Sequence, residues 1–273
     1  MRNDREENPM TAMQAPHKVV SRDEWLKARL DHLAAEKEFT RRRDELSRQR
    51  RELPWERVEK NYVFEGPSGP ETLADLFAGR SQLLIYHFML GPTWEEGCKS
   101  CSFLADHFDA TQIHLAHRDV TFAVVSRAPM PRIRAFQGRM GWGFHWVSAY
   151  GTDFNRDYGV HFTQEELAGE VNYNYGKTRF GSEEAPGLSV FCKDGSGEIF
   201  HTYSAYARGL DMLVGTYQFL DMAPKGRDED GLAFTMAWVR HHDKYGEGYA
   251  LDSNATYQKP LETAACCKGE ESA

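Results

Sequence analysis

The sequence predicts an α/β domain in which a central mixed sheet is flanked by helices. Three observations carry this. "QLLIYHFML", residues 82–90, is a continuous apolar run of strand length, as suits a strand covered on both faces. "VTFAVVS", residues 120–126, is a second such run, and between the two Leu104, Phe108 and Leu115, with Ala105 beside them, fall at helical spacing. Strand, helix and strand at this length form a βαβ unit, hence a parallel pair with a right-handed crossover. Finally, "PGLSVFCKDGSGEIFHTYS" has strand patterns at 188–193 and 198–204 around "DGSG", a hairpin turn signal that adds antiparallel strands.

The remaining elements follow in order. Residues 1–20 are polar and read as a disordered tail. "SRDE" at 21–24 is a capping box, with Ser21 capping a helix start and Glu24 reaching back. The helix should run toward Arg51 within an N-terminal arm spanning 21–60, with Leu26, Leu30 and Leu33 on its apolar face. Further on, Glu38, Asp44, Glu45 and Glu52 interleave with arginines, which favours a solvated helix along one edge of the domain over a phosphate-binding face. Pro54 ends it. The domain proper is expected over 61–245. "YVFEGPSGPETLADLF" reads as a short strand, a Gly/Pro turn and a helical turn. "PMPRIRAFQGRMG" reads as a second helix, stopped by Gly138 and Gly141. Residues 142–185, rich in Gly, Tyr, Trp and Asn, read as a long insertion before the hairpin, with one short strand at His145 to Tyr150. "ARGLDMLVGTYQFLDM" is a closing helix, a further helix covers 231–244, and 246–273 form a tail.

Composition narrows the function. A net charge of −8 disfavours a general nucleic-acid binder. No apolar run is long enough to cross a membrane, and "MRNDREENPMTAMQAPHK" has no apolar signal-peptide core. The expected compartment is the cytosol, where structural disulfides are rare, and five cysteines make an odd number. In that setting "WEEGCKSCSF", residues 94–103, presents Cys98 and Cys101 as a catalytic or metal-binding pair.

The pair falls where the first core strand hands over to its helix. Unpaired N–H groups there stabilise thiolate over thiol. Cys98, the more exposed, would attack a substrate disulfide, and Cys101, one turn deeper, would resolve the mixed disulfide. Lys99 would help the thiolate while Glu95 and Glu96 oppose it, so a mild pKa depression is expected. A zinc site would need two more ligands. Cys192 is mid-strand and reads as a small core residue. His241 and His242 are adjacent, so a helix would point them apart, as at an exposed helix end. Cys266 and Cys267 are a vicinal pair that could bind soft metal or serve as an auxiliary redox pair. His87 reads as a satisfied core histidine. Trp94, Trp142 and Trp146 line the groove over Cys98 or form the core of the insertion. No bound cofactor or metal is expected.

A CxxC at a strand-to-helix handover is the thioredoxin arrangement, and "APGLSVFCKDGSGE" resembles the segment in which a thioredoxin cis-proline faces the active-site cysteines. That resemblance implies a cis bond between Ala185 and Pro186 and an Ala185 backbone turned toward the dithiol, ready to pair with an incoming chain. Ala185, Pro186 and Trp94 are then the candidate substrate-binding residues. "ETLADLFAGRSQLLIYHFMLGPTWEEGCKSCSFLADHF" resembles the thioredoxin-like bacterial DUF899 family, described as dithiol–disulfide oxidoreductases, with similarity over about residues 20–245. This implies a thioredoxin-like fold and thiol–disulfide exchange on a protein or small-molecule disulfide, with an external electron donor. The site departs from thioredoxin. Trp94 stands four residues before the first cysteine rather than next to it, and the spacer is Lys99-Ser100 instead of Gly-Pro. Glu95 replaces the threonine that peroxiredoxins need, and Ser102 excludes a c-type haem site. The rival is a non-catalytic thioredoxin-like module whose dithiol holds a metal such as zinc or a protein partner.

Overall fold

The computed structural model describes residues 17–245. The tail carrying Cys266 and Cys267, and most of the N-terminal one, lie outside the described residues. The chain divides into two units, one ending at Leu53 and one beginning at Pro54. In the first, helix α1 (Arg22–Arg51) opens on the expected capping box: Glu24 N donates to Ser21 Oγ (3.3 Å) and Ser21 N donates to Glu24 Oε2 (3.1 Å). No residue of α1 is buried. Its arginines are met by its own carboxylates, as in Arg48–Glu45 (2.7 Å) and Arg29–Glu36 (2.7 Å).

Among the described residues, the second unit has ten strands: β1 (Glu56–Arg57), β2 (Val63–Gly66), β3 (Gly69–Thr72), β4 (Gln82–His87), β5 (Val120–Ser126), β6 (His145–Ser148), β7 (Val171–Tyr173), β8 (Gly176–Thr178), β9 (Gly187–Lys193) and β10 (Ile199–Tyr206). Eight form one sheet in the order β1-β10-β9-β4-β5-β6-β2-β3. β4, β5 and β6 are parallel. Helices α2 (Lys99–Ala105) and α3 (Asp109–Ala116) cross from β4 to β5, and α4 (Met130–Met140) crosses from β5 to β6. β9 lies antiparallel to β4, with Gln82 opposite Cys192 and His87 opposite Gly187, and β10 lies antiparallel to β9. This is a thioredoxin-like fold.

Strand alternation explains the continuous apolar runs. Leu83, Ile85, Ala123, Val125, Val147 and Phe191 pack on one face with Phe64, Phe77 and Phe154. Tyr86, Phe88, Val124, Trp146 and Leu188 pack on the other with residues of α2 and α4. Both faces of β4 are covered from Leu83 onward, which is why the strand reads as a nearly continuous apolar run, with His87 as its buried polar exception. α4 runs through Gly138 and stops at Gly141, which takes the left-handed conformation (φ 66°).

Several expectations are corrected. The insertion does not begin at 142, because β6 is a core strand. Trp142 and Trp146 accordingly belong to the main core, against Phe88 at ring distances of 5.9 and 4.7 Å. The inserted part follows β6. It contains α5 (Phe154–Asp157), α6 (Gln164–Leu167) and the β7–β8 hairpin, with its own small core of Val160, Phe162, Val171, Tyr173 and Ala185 against Tyr206. The closing helix is shorter than its pattern suggests: a 3-10 stretch at Ala207–Leu213 precedes α7 (Gly215–Leu220). Gly215 lies where a Cβ would stand 2.9 Å from the His107 ring. No helix forms over 231–241, and only a 3-10 turn at His242–Lys244 follows. The chain there folds around Glu229, whose carboxylate accepts from Tyr217 Oη (2.6 Å), Met236 N (3.0 Å) and Trp238 Nε1 (2.6 Å).

The cis-proline expectation also fails. Among the described residues no peptide bond is cis, so Ala185–Pro186 is trans. The segment is held onto the insertion instead: Ala185 N donates to Val160 O (3.0 Å), and Tyr173 Oη donates to Pro186 O (2.8 Å). The Ala185 amide is therefore engaged rather than presented to an incoming chain. Strand order, not the proline isomer, carries the fold. Among the described residues, no helix is long and apolar enough to cross a membrane.

Candidate redox site

The site is assembled where the chain leaves β4. Phe88 N still donates to Val125 O (2.9 Å), and Cys98 N returns to donate to Met89 O (2.9 Å), which closes a loop over residues 89–98. Trp94 folds back over Gly91, where a Cβ would stand 3.0 Å from its indole nitrogen. Arg132 of α4 donates to Trp94 O (2.6 Å) and Pro92 O (3.3 Å). Gly97 is required by space: a Cβ would stand 2.5 Å from the Phe88 ring and 2.6 Å from the Phe136 ring.

The peptide before Cys98 is gripped from a distant part of the chain. His241 Nε2 lies 2.9 Å from Gly97 O, and its Nδ1 lies 2.9 Å from Arg139 Nη2. A carbonyl can only accept and a guanidinium can only donate, so the proton sits on Nε2. Burial and the neighbouring Arg139 cation lower the His241 pKa, in keeping with a neutral ring. This residue is buried rather than at an exposed helix end, a correction to the sequence reading. Its partner His242 is exposed, with Nδ1 2.7 Å from Asp106 Oδ1.

Cys98 caps α2 and is half-buried, whereas Cys101 is 2% exposed. Ser102 donates twice to the Cys98 carbonyl, from N (2.9 Å) and Oγ (2.9 Å), which fixes the first turn. The Cys98 pKa is lowered to about 6. The hydrogen bond from Cys101 is the largest cause, and the N–H groups of Cys101 and Ser100 and the Ser100 hydroxyl add to it against the opposing effect of burial. Cys101 is pushed the other way, by burial first and then by its bond to Cys98. The two sulfurs are thus shifted in opposite directions, Cys98 toward the thiolate and Cys101 toward the thiol.

The flanking charges act less than the sequence suggests. Lys99 Nζ donates to Ala237 O (3.3 Å), and burial lowers its own pKa. Glu96 is neutralised by Lys244 (2.7 Å) and Arg139, so it opposes the thiolate little. Two tyrosines that sequence reasoning missed lie close by. Tyr86 of β4, 1% exposed, packs in the same core cluster as Cys101, and burial raises its pKa. Tyr173 of the insertion is within electrostatic range of the Cys101 sulfur. Only the polar hydroxyl of Tyr86 inside an apolar strand could have drawn attention to it. Gly97, Arg139 and His241 carried no local signal.

Of the other candidates, Ala185 and Pro186 precede Gly187, which pairs with His87, so they stand at the end of β4 from which the cysteine loop departs. Trp94 packs with Cys98 against the same core cluster. Cys192 is opposite Gln82 at the far end of β4, roughly 16 Å of strand from His87 at ~3.3 Å per residue. Among the described residues, no three His, Cys, Asp or Glu side chains gather where they could hold a metal ion. His87 turns away from the dithiol into a buried polar chain: its Nε2 is 2.9 Å from Ser189 Oγ, Ser189 Oγ is 3.0 Å from Ser204 Oγ, and Ser204 Oγ is 2.8 Å from His201 Nε2. Burial pushes the His87 pKa down to about 3.

Comparison with known proteins gives a family and distant structural likenesses. Residues 14–245 match the family described as "Bacterial protein of unknown function (DUF899)". No curated protein matches the chain. Among solved structures, peroxidoxin BcpB from Mycobacterium tuberculosis is similar at 14% identity, over 60% of this chain and 95% of that one, with a TM-score of 0.38. Peroxiredoxin Q from Xanthomonas campestris is similar at 16% identity, over 63% and 99%, with a TM-score of 0.40. The Xylella fastidiosa PrxQ C47S mutant is similar at 12% identity, over 60% and 94%, with a TM-score of 0.39.

Proposed function

We propose, from the premise that this chain belongs to the DUF899 family, that it is a thiol–disulfide oxidoreductase working through Cys98 and Cys101. The observation that carries this reading is the asymmetry of the pair: a half-buried cysteine at the start of α2, its pKa lowered to about 6, three residues before a buried cysteine whose pKa burial raises.

The chemistry follows from the geometry. The Cys98 thiolate attacks one sulfur of a substrate disulfide, and the other sulfur leaves as a thiolate. Cys101 then gives up its proton and attacks Cys98 Sγ, which frees the second substrate sulfur and leaves a Cys98–Cys101 disulfide. An external thiol donor returns the pair to the reduced state. The substrate is a protein or small-molecule disulfide. Trp94 packs beside Cys98 and Pro186 stands at the end of β4 from which the cysteine loop departs, so these two are the substrate-binding candidates, while Ala185 is buried in the insertion, the part that would set specificity.

Trapping tests the roles. Cys101→Ser should form a covalent adduct with substrate from cell extract, released by added reductant, whereas Cys98→Ser should trap nothing. Adducts on Cys98→Ser alone would reverse the assignment. Stoichiometric zinc in the purified chain, lost on alkylation of Cys98, would replace the enzyme reading with that of a metal-holding module.

A further inference from the structure

Attack on a disulfide needs more than an ionised sulfur. The nucleophile must also approach along the line of the bond it breaks, and a misplacement of about 1 Å can cost about 100-fold in rate. A cysteine sulfur stands a single torsion away from the backbone, so whatever fixes the backbone at Cys98 fixes the nucleophile. Two of the bonds that do so are local. The Cys98 carbonyl accepts from Ser102 N and Oγ (2.9 Å each), and the Cys98 N–H donates to Met89 O (2.9 Å).

The third bond comes from far away. Gly97 O accepts from His241 Nε2 (2.9 Å), 144 positions along the chain. Gly97 O and the Cys98 N–H are the two polar edges of one planar peptide. His241 and Met89 therefore hold that plane from both sides and set the direction in which the Cys98 Cα leaves it. Residues 91–97 belong to no helix or strand, so no ladder shares the task. His241 is itself held. It is 6% exposed, and its ring meets Phe136 edge-on at 5.4 Å, the same ring that Gly97 is pressed against. Arg139 Nη2 donates to its Nδ1 (2.9 Å), which keeps the proton on Nε2, where Gly97 O requires it. Arg139 is anchored in turn by Asp243, with Nε 2.8 Å from Oδ2 and Nη2 3.2 Å from Oδ1.

We propose that His241 is a positioning residue for Cys98: locked in one tautomer by the Asp243–Arg139 pair, it fixes the Gly97–Cys98 peptide and thereby the direction from which the Cys98 sulfur attacks. This rests on the oxidoreductase reading above. In the step concerned, Cys98 Sγ forms a bond to one sulfur of the disulfide, and the other sulfur leaves with the electron pair of the broken bond. His241 neither gives nor takes a proton in that step; it acts through the peptide alone.

The test uses the full-length chain with Cys98 as its only cysteine, and the probe is 2,2′-dithiodipyridine, whose released thione is read by absorbance. The rate is followed against pH up to its alkaline plateau. There every Cys98 is ionised, so the plateau reports placement and not charge. His241→Leu removes both the donor and the acceptor, and its plateau should fall about 10- to 100-fold. His241→Gln can donate from Nε2 and accept at Oε1, and it should restore the plateau to within about threefold of the parent. Arg139→Met frees the tautomer without touching Gly97 and should also lower the plateau, which keeps the test decisive if His241→Leu does not fold. A plateau within about twofold of the parent in His241→Leu or in Arg139→Met, or equal losses in the Leu and Gln variants, would overturn the role. If the oxidised wild-type chain never forms a Cys98–Cys101 disulfide, the oxidoreductase reading falls, and this role falls with it.

Discussion

The lowered Cys98 pKa depends on hydrogen bonds, first from Cys101 and then from backbone N–H groups, more than on neighbouring charge, and this makes two residue-level expectations definite. With its pKa near 6, the rate of iodoacetamide alkylation of Cys98 should rise through a midpoint near pH 6 and be flat above pH 7.5 or so. The same shift is a stability term. A group held below its ordinary value of 9.0 contributes stability that is fully present above that value and is lost as pH falls through about 6. The stability of the reduced protein relative to Cys98→Ser should therefore decline from pH 9 to pH 6, as read by urea unfolding. Gly97→Ala should be destabilising by about 1–3 kcal/mol, since overpacking forces two rings to move; an unchanged urea midpoint would contradict this. The dithiol was legible as a motif. The need for Gly97 was not, because Phe88 and Phe136 reach it only in three dimensions.

At the scale of elements, the stretch from Glu229 to Lys244 is the piece that the sequence misrepresents. Its periodicity suggests a helix, but carboxylate bonds around Glu229 and the His241 grip on Gly97 fold it into turns. Such clamps have no local period to read. His241→Ala removes both the donor to Gly97 O and the acceptor for Arg139. Amide hydrogen exchange should quicken in residues 94–98 and 236–244 while β4 and β5 stay protected. Uniform quickening across the domain would mean that this stretch is part of the global folding unit. β4, β5 and the β9–β10 hairpin were all legible, since long apolar runs and a DGSG turn are local signals. β6 was only half legible: "HWVS" is four residues long, and its place in the sheet is set by partners far away in sequence.

The whole molecule sets one further charge. Glu184, beside the engaged Ala185 amide, is 1% exposed and pairs with Arg127 (2.8 Å). Burial outweighs the attraction of Arg127 and raises its pKa to about 7. A carboxyl raised in this way contributes stability that is present below its ordinary value of 4.5 and is lost as pH rises through about 7. Thermal unfolding across that window should show Glu184→Gln gaining on the wild type as pH rises; parallel curves would assign the carboxylate a charged state throughout. The fold was readable at this scale because two dry sheet faces leave a bold hydrophobic signature. The trans Ala185–Pro186 bond was not, because it depends on how the insertion folds back.

β4 also carries a form of proofreading. Tyr86 and His87 are neighbours in sequence, yet one faces the dithiol and the other faces the serine chain across the sheet. A slip of one residue would exchange the two faces along the whole strand. Leu83 and Ile85 would leave the core they share with Phe64 and Phe154, and the His87 ring would lose Ser189. Misregistered molecules would thus be poorly packed and would strand a buried imidazole together, so that the strand admits a single register.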